Sequence, residues 1–320
     1  MSGPWPSSVV DPARVERIPE PVILEMLREV EAGLPDKAFV EIGRSPGSRA
    51  WIVGDTHGDW PTSQLLARRA LQGGTRDGLL VALGDYVDRT PPELPQGSVR
   101  NALFLVSLLR AFPRRVVLLR GNHEAVDQIP AGEPSVPAEA SEIWGPRTRV
   151  GTRLLALLER LPIAATTPNG IFLAHGGILR SPLKGSWKEV LRHPEISTLF
   201  EILWNDLEGS PAAGNRGIPI PPFREKDLAD FLGATGLKGF VRGHDPGIAG
   251  RFLCHDRLLT VHSTRAIRSA GFWTASVALD EPLADLRGVS LERFDPPRVP
   301  GHPSAAGNAG VPPEDPVKEQ

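Results

Sequence analysis

Short apolar runs in this chain repeatedly end in a glycine followed by an acidic, amide or imidazole side chain. Trp51-Ile52-Val53 opens into Gly54-Asp55-Thr56-His57-Gly58-Asp59. The run 79–83 opens into Gly84-Asp85-Tyr86-Val87-Asp88-Arg89, and the run 116–119 into Arg120-Gly121-Asn122-His123-Glu124. Two later runs end in His175-Gly176-Gly177 and Arg242-Gly243-His244. Asp55, His57, Asp85, Asn122, His175 and His244 offer only oxygen and nitrogen donors, a set that suits Mn, Fe or Zn and not a soft-metal site. Two divalent ions sharing a carboxylate, for which Asp85 is the candidate, would stand ~3.5–4 Å apart and activate a bridging hydroxide for in-line attack on phosphorus. His123 is the candidate acid for the leaving oxygen, with Asp88 to orient the imidazole and hold its proton. Arginines fork onto phosphate oxygens, which points to Arg89 and Arg216 as substrate-binding residues, with Asn122 beside the acid.

One Asp-Gly or His-Gly is an ordinary turn, and His244 taken alone could be a core histidine. The serial occurrence, each time after its own strand, carries the reading. His193, His255 and His302 lack that context and are expected at the surface.

The elements must deliver these residues to one place. Ligands just past the carboxyl ends of strands follow the general rule for α/β sheets. Helical spacing is expected over 61–71, 98–112, 148–161 and 225–232, with a further helix starting at Pro21. The strand–helix alternation implies βαβ units and a largely parallel sheet. Segments 258–262 and 271–279 are expected in a second sheet, 128–146 as a surface loop or lid, and 209–222 as an active-site loop. The expected organisation is an extended N-terminal arm (1–20), one catalytic domain (21–295) and a Pro/Gly-rich disordered tail (296–320).

Composition sets the outer bounds. A hydrophobic fraction of 40% and a charged fraction of 23% over 320 residues are ordinary for a soluble globular enzyme. A net charge of -2 and a pI near 6.5 give no basic field for nucleic acid or an anionic membrane. Cys254 is the single cysteine, which excludes an internal disulfide and a thiolate cluster. No apolar run reaches the ~20 residues that span a bilayer, and the N-terminus does not read as a signal peptide, so a cytoplasmic location is expected.

These motifs resemble the serine/threonine phosphoprotein phosphatase family of calcineurin-like metallophosphoesterases. The family's GDxHG, GDxVDR and GNHE signature stands here at 54–58, 84–89 and 121–124. The likeness continues through Leu161-Pro162-Ile163-Ala164-Ala165, His175-Gly176-Gly177, Leu203-Trp204-Asn205-Asp206, Asn215-Arg216-Gly217 and Arg242-Gly243-His244. It implies an α/β fold, a β-sandwich of two mixed sheets flanked by helices, with a dimetal site at the strand ends. It places one metal on Asp55, His57 and Asp85 and the other on Asp85, Asn122, His175 and His244. It also implies His123 with Asp88 as acid and partner, and Arg89 and Arg216 on phosphate. The activity implied is hydrolysis of phosphoserine and phosphothreonine monoesters, extending to phosphotyrosine, on a phosphorylated protein. The alternative is a dinucleoside polyphosphate or other small phosphoester.

The departures match a divergent or bacterial-type member. Asp59 stands where the family commonly has Gln, and Thr90 where it has Gly. His262-Ser263-Thr264-Arg265 replaces a Pro-Asn-Tyr turn, and the chain's one tyrosine, Tyr86, lies inside the second motif. These changes leave the chemistry in place and open the question of substrate.

Overall fold

The strands are short, and the alternation of their apolar residues decides how the layers stack. A computed structural model describes residues 4–43, 46–73, 78–180 and 186–299. Its strands are β1 (Phe39–Glu41), β2 (Arg49–Val53), β3 (Gly78–Ala82), β4 (Val116–Leu118), β5 (Ala164–Thr166), β6 (Ile171–Ala174), β7 (Gly239–Arg242), β8 (Phe252–Leu253), β9 (Leu258–Thr260), β10 (Trp273–Ala278) and β11 (Ser290–Arg293). Its α-helices are α1 (Glu20–Gly33), α2 (Trp60–Gln72), α3 (Gly97–Ala111), α4 (Val136–Trp144), α5 (Val150–Leu158), α6 (Trp187–Arg192), α7 (Ile196–Leu203) and α8 (Glu225–Thr235).

Two mixed sheets face each other, a six-stranded one in the order β1-β5-β6-β7-β9-β8 and a five-stranded one in the order β11-β10-β2-β3-β4. Ile52, Val81, Leu173, Val241, Leu259, Ala275 and Val277 fill the space between them. The alternate residues of the same strands point outward, as a period of two requires. Leu80, Ala82, Val116 and Leu118 meet a core that includes residues of α1 to α5. Phe172, Ala174, Phe240 and Leu258 meet one that includes residues of α6, α7 and α8. The result is four layers, helix–sheet–sheet–helix. Among the described residues no helix is long and apolar enough to cross a membrane.

Several local expectations change. Segments 258–262 and 271–279 do not share a sheet: β9 pairs parallel with β7, whereas β10 pairs antiparallel with β2. The sheets are accordingly mixed and not largely parallel. The 128–146 segment is not a loop throughout, because Val136–Trp144 is helical. Pro137 falls in its first turn, where a missing N–H costs nothing, and Val136 and Ala140 bury one face. α6, α7, β5 and β11 went unanticipated. Within the expected extended arm, Pro12–Arg17 forms a 3-10 helix started by the Asp11 side chain, which accepts from Ala13 N. Val10 and Val15 are buried, and Trp5 packs edge-on to Phe104, so apolar contact holds this segment against α3. Residues 300–320 of the expected tail lie outside the described residues.

Candidate metal centre and phosphate cleft

The candidate residues converge where the strands of both sheets end. An isolated parallel bridge joins Asp55 to His262, beyond the ends of β2 and β9, and ties the two sheets together. The close approach explains Gly54, where a Cβ would lie 2.2 Å from the Val261 carbonyl oxygen. Gly84 takes φ 106, and its Cβ would meet Gly121 N at 2.3 Å. The backbone here is also strained: His57, Asp85, Asp88, Arg89 and His244 account for five of the nine described non-glycine residues at positive φ. Each such residue costs roughly 1–3 kcal/mol and persists only where its surroundings over-determine it.

Asp85 occupies the middle. Its Oδ2 faces His57 Nε2 at 3.5 Å and its Oδ1 faces His175 Nε2 at 3.3 Å, so its two oxygens look toward different imidazoles. His57 Nε2 also lies 4.0 Å from Asp55 Oδ2. On the other side His175 Nε2 stands 2.9 Å from Asn122 Oδ1 and 3.0 Å from His244 Nδ1. Two groups, His57–Asp85–His123 and Asp85–His175–His244, bring their ligand atoms within 4.8 Å of one another. Asp55, His57, Asp85, Asn122, His175 and His244 are all buried.

Main-chain carbonyls fix the imidazole tautomers. His57 Nδ1 donates to Val87 O (2.9 Å), His175 Nδ1 to Leu83 O (3.1 Å) and His244 Nε2 to Trp204 O (3.2 Å). Each ring therefore turns a lone pair inward, the arrangement by which an outer hydrogen bond readies a histidine to bind metal. His57 Nε2 has no hydrogen-bond partner. The facing lone pairs of His175 and His244 repel unless a proton or a cation lies between them. Oxygen and nitrogen donors, inward lone pairs and a carboxylate flanked by imidazoles on both sides fit divalent cations.

The electrostatics agree. Burial and the neighbouring His123 charge push the His57 pKa down to about 4, against the pull of Asp85. Burial, Arg216 and His175 hold His244 well below the usual imidazole range. Burial alone would raise Asp85, but His175, His123 and His57 outweigh it and leave the carboxylate charged. Burial works against the charged form of His175 too, yet Asp85 and Asp55 raise its pKa. The two carboxylates thus favour positive charge beside them.

His123, the third member of the first group, is also engaged outside it. Its Nδ1 donates to Asp88 Oδ2 at 2.8 Å, and its Nε2, 4.0 Å from Asp85 Oδ2, has no partner. Burial lowers its pKa, but Asp85 and the Asp88 hydrogen bond overcome that, and the net shift is upward. Arg89 and Arg216 line one open cleft of about 500 Å³ together with His244, Pro211, Asp245 and Ile267. Arg89 is exposed. Arg216 is held from behind, its Nε donating to Asp206 and its Nη2 to His244 O at 3.0 Å.

Three supporting residues had no role assigned from sequence. Glu124, fully buried, accepts from Asp85 N, Tyr86 N and Gly121 N, each at 2.8 Å, and so laces the second motif to the third. Burial first, and then Asp85, push its pKa to about 7. Asp206 also binds Arg242 Nη2 at 2.9 Å and is shared between two guanidiniums. Ser135, from the expected lid, donates its N–H to Asp88 Oδ1 at 2.8 Å. Glu124 and Asp206 are visible in the motifs, but nothing local tells a carboxylate facing amides from one facing a metal. Two of the family departures, Asp59 and Thr90, fall behind the site. Asp59 is buried, caps α2 at Thr62 N and accepts from Arg265 Nε at 2.8 Å. Thr90 Oγ1 bonds Ser98 Oγ at 2.8 Å. His193 and His255 are exposed, and His302 lies outside the described residues.

Comparison with known proteins points the same way as the geometry. The family model for calcineurin-like phosphoesterases matches residues 48–247. A protein phosphatase 2A catalytic chain from Dictyostelium discoideum is 30% identical over 260 residues, covering 78% of each chain. A probable serine/threonine-protein phosphatase of Encephalitozoon cuniculi is 29% identical over 206 residues, which span 60% of this chain and 41% of that protein. In structure the chain is similar to a Saccharomyces cerevisiae protein serine/threonine phosphatase described as similar to human phosphatase PP5, with a TM-score of 0.71 at 22% identity over 89% of this chain and 92% of that one. The chain belongs to the calcineurin-like phosphoesterase family, with the serine/threonine phosphoprotein phosphatases as its relatives.

Proposed function

We propose that the protein is a metal-dependent phosphatase for phosphoserine and phosphothreonine monoesters on proteins. The observation that carries this reading is the juxtaposition of a carboxylate flanked on both sides by imidazoles, Asp85, with the His123–Asp88 pair and a cleft lined by two arginines. Asp55, His57 and Asp85 would hold one divalent cation, and Asp85, Asn122, His175 and His244 the other, with Mn, Fe or Zn suited to the donors. Such a pair, when bound, activates water and neutralises charge on the phosphoryl oxygens. The protein's own residues do the rest. Arg89 and Arg216 grip the phosphate and orient it, Arg216 already aimed by Asp206. Asn122 adds a hydrogen bond at the phosphoryl group. His123 carries the proton on Nε2, because Nδ1–H is committed to Asp88, and delivers it to the leaving serine or threonine oxygen. No covalent intermediate on the protein is required.

The cleft is open and reached from the surface, which suits a phosphorylated loop of another protein. The test is turnover by the purified, manganese-loaded protein of an aryl phosphate, of phosphoserine, phosphothreonine and phosphotyrosine peptides, and of diadenosine tetraphosphate. Highest kcat/KM on phosphoserine or phosphothreonine peptides is expected. A folded, metal-loaded protein inert on all the monoesters overturns the reading, as does a large kcat/KM preference for the dinucleotide.

A further inference from the structure

His262 has no assigned role, yet it is 1% exposed and its Nε2 has no hydrogen-bond partner among the described residues. Leaving a buried nitrogen unpaired is costly. Its Nδ1 lies 3.5 Å from Gly271 O, so the Nδ1–H tautomer leaves an Nε2 lone pair. The backbone of His262 pairs with Asp55 in a parallel bridge. Partners in a parallel bridge project their side chains to the same face, which sets the imidazole beside the Asp55 carboxylate. The charged groups facing it are Asp55, Asp85 and Arg89, all from the candidate centre.

The rest of this turn is fixed by contacts of its own. Ser263 N donates to Asp55 O at 3.1 Å, and Ser263 Oγ accepts from Gly54 N at 3.2 Å and donates to Trp273 O at 2.8 Å. Thr264 Oγ1 caps the following 3-10 helix at Ala266 N. Arg265 is locked on buried Asp59 through both N and Nε. Two of the departures from the family pattern, Asp59 and the 262–265 turn, are therefore one unit: the buried ion pair anchors the turn that carries His262. Among the described residues Nε2 is left without a partner, and the bridge sets His262 next to Asp55.

We propose that His262 belongs to the cation site on that side, its Nε2 accepting a hydrogen bond from a water that the cation holds. The inference rests on the phosphoesterase reading only for the presence of the cation. Manganese binding to metal-free full-length protein is measured by calorimetry for the wild type, H262F, H262A and H262Q, after thermal melting of each metal-free form. Loss of a group that supports a metal from its outer shell typically costs 10–100-fold in affinity. H262F and H262A are expected to lose about that factor at one of two sites with an unchanged melting temperature, while H262Q, whose amide oxygen can still accept, stays within a few-fold of wild type. Unchanged affinity at both sites in any folded H262F or H262A overturns the proposal. So does equal weakening of both sites with a lowered melting temperature, which is the mark of a merely structural histidine. If the phosphatase reading fails while cations still bind, the wild type binds two manganese ions without turnover, and the comparison among variants stands.

Discussion

The buried floor of the candidate site and its arginine rim are held in different ways. On the floor Asp55, His57, Asp85, His175 and His244 are buried, and carbonyls set the tautomer of each imidazole. Of the five positions at positive φ, all but Arg89 belong to the floor or its acid pair, where surrounding hydrogen bonds over-determine the backbone. The rim is thinner. Arg89 is exposed, and Arg216 sits in a loop and is tied to the interior through Asp206 and the His244 carbonyl. A floor of this kind is built before any ligand arrives, whereas a rim of long side chains can adjust to what it grips. On the proposed reading, chemistry belongs to the first and choice of substrate to the second.

Four measurements can break or sharpen this contrast. The largest effect is expected from Asp85→Asn, which removes the shared charge from both halves: cation content by elemental analysis should fall, and kcat should drop beyond the ~10²–10⁴-fold of a lost acid step. Retained metal in that variant would break the picture of a preset floor. His123→Asn should lower kcat by ~10²–10⁴-fold with cation content kept, since the proposed ligand set leaves His123 out. Loss of metal there would move His123 into the ligand set.

Asp206→Asn tests whether the rim borrows its order from the interior. A hydrogen bond to a charged group is worth about 1.5–3 kcal/mol, so kcat/KM should fall ~10–150-fold with cation content unchanged. An unchanged kcat/KM would mean that Arg216 aims itself. The smallest effect is a shift along the pH axis. The His123 pKa is raised, so its acid form survives above the ordinary imidazole value and is lost as pH rises through the folded value. Asp88→Asn removes one of the influences that raise it, and the alkaline limb of kcat against pH should move to lower pH. A limb that stays put would assign it to another group.

Much of the floor was legible because its signals are local. A strand, a glycine that permits a close approach and a ligand-type side chain fit within a few residues, and the motifs before Asp55, Asp85 and Asn122 are each of this form. α2, α3 and α8 were legible from their periodicity. α4 was not, since its prolines read as a loop while one of them sits in the tolerant first turn. α7 has only eight residues, and Leu199, Ile202 and Leu203 give too short a period to separate from its irregular neighbours. The roles of Glu124, Asp206 and His262 depend on what each side chain meets across the fold, and no local pattern records that.

By itself the sequence determined which side chains could bind a cation, give up a proton or grip a phosphate, because residue type and motif spacing are written along the chain. The tertiary structure decided how they combine. β10 runs antiparallel to β2 from more than two hundred residues away, and a single bridge from Asp55 to His262 closes one sheet on the other. That closure puts the imidazoles of β6 and β7 against the carboxylates of β2 and β3 and turns Asp59 and Arg265 into a buried anchor. Contacts between distant segments form only when the two sheets pack, since burying the apolar residues between them is what brings the strand ends together.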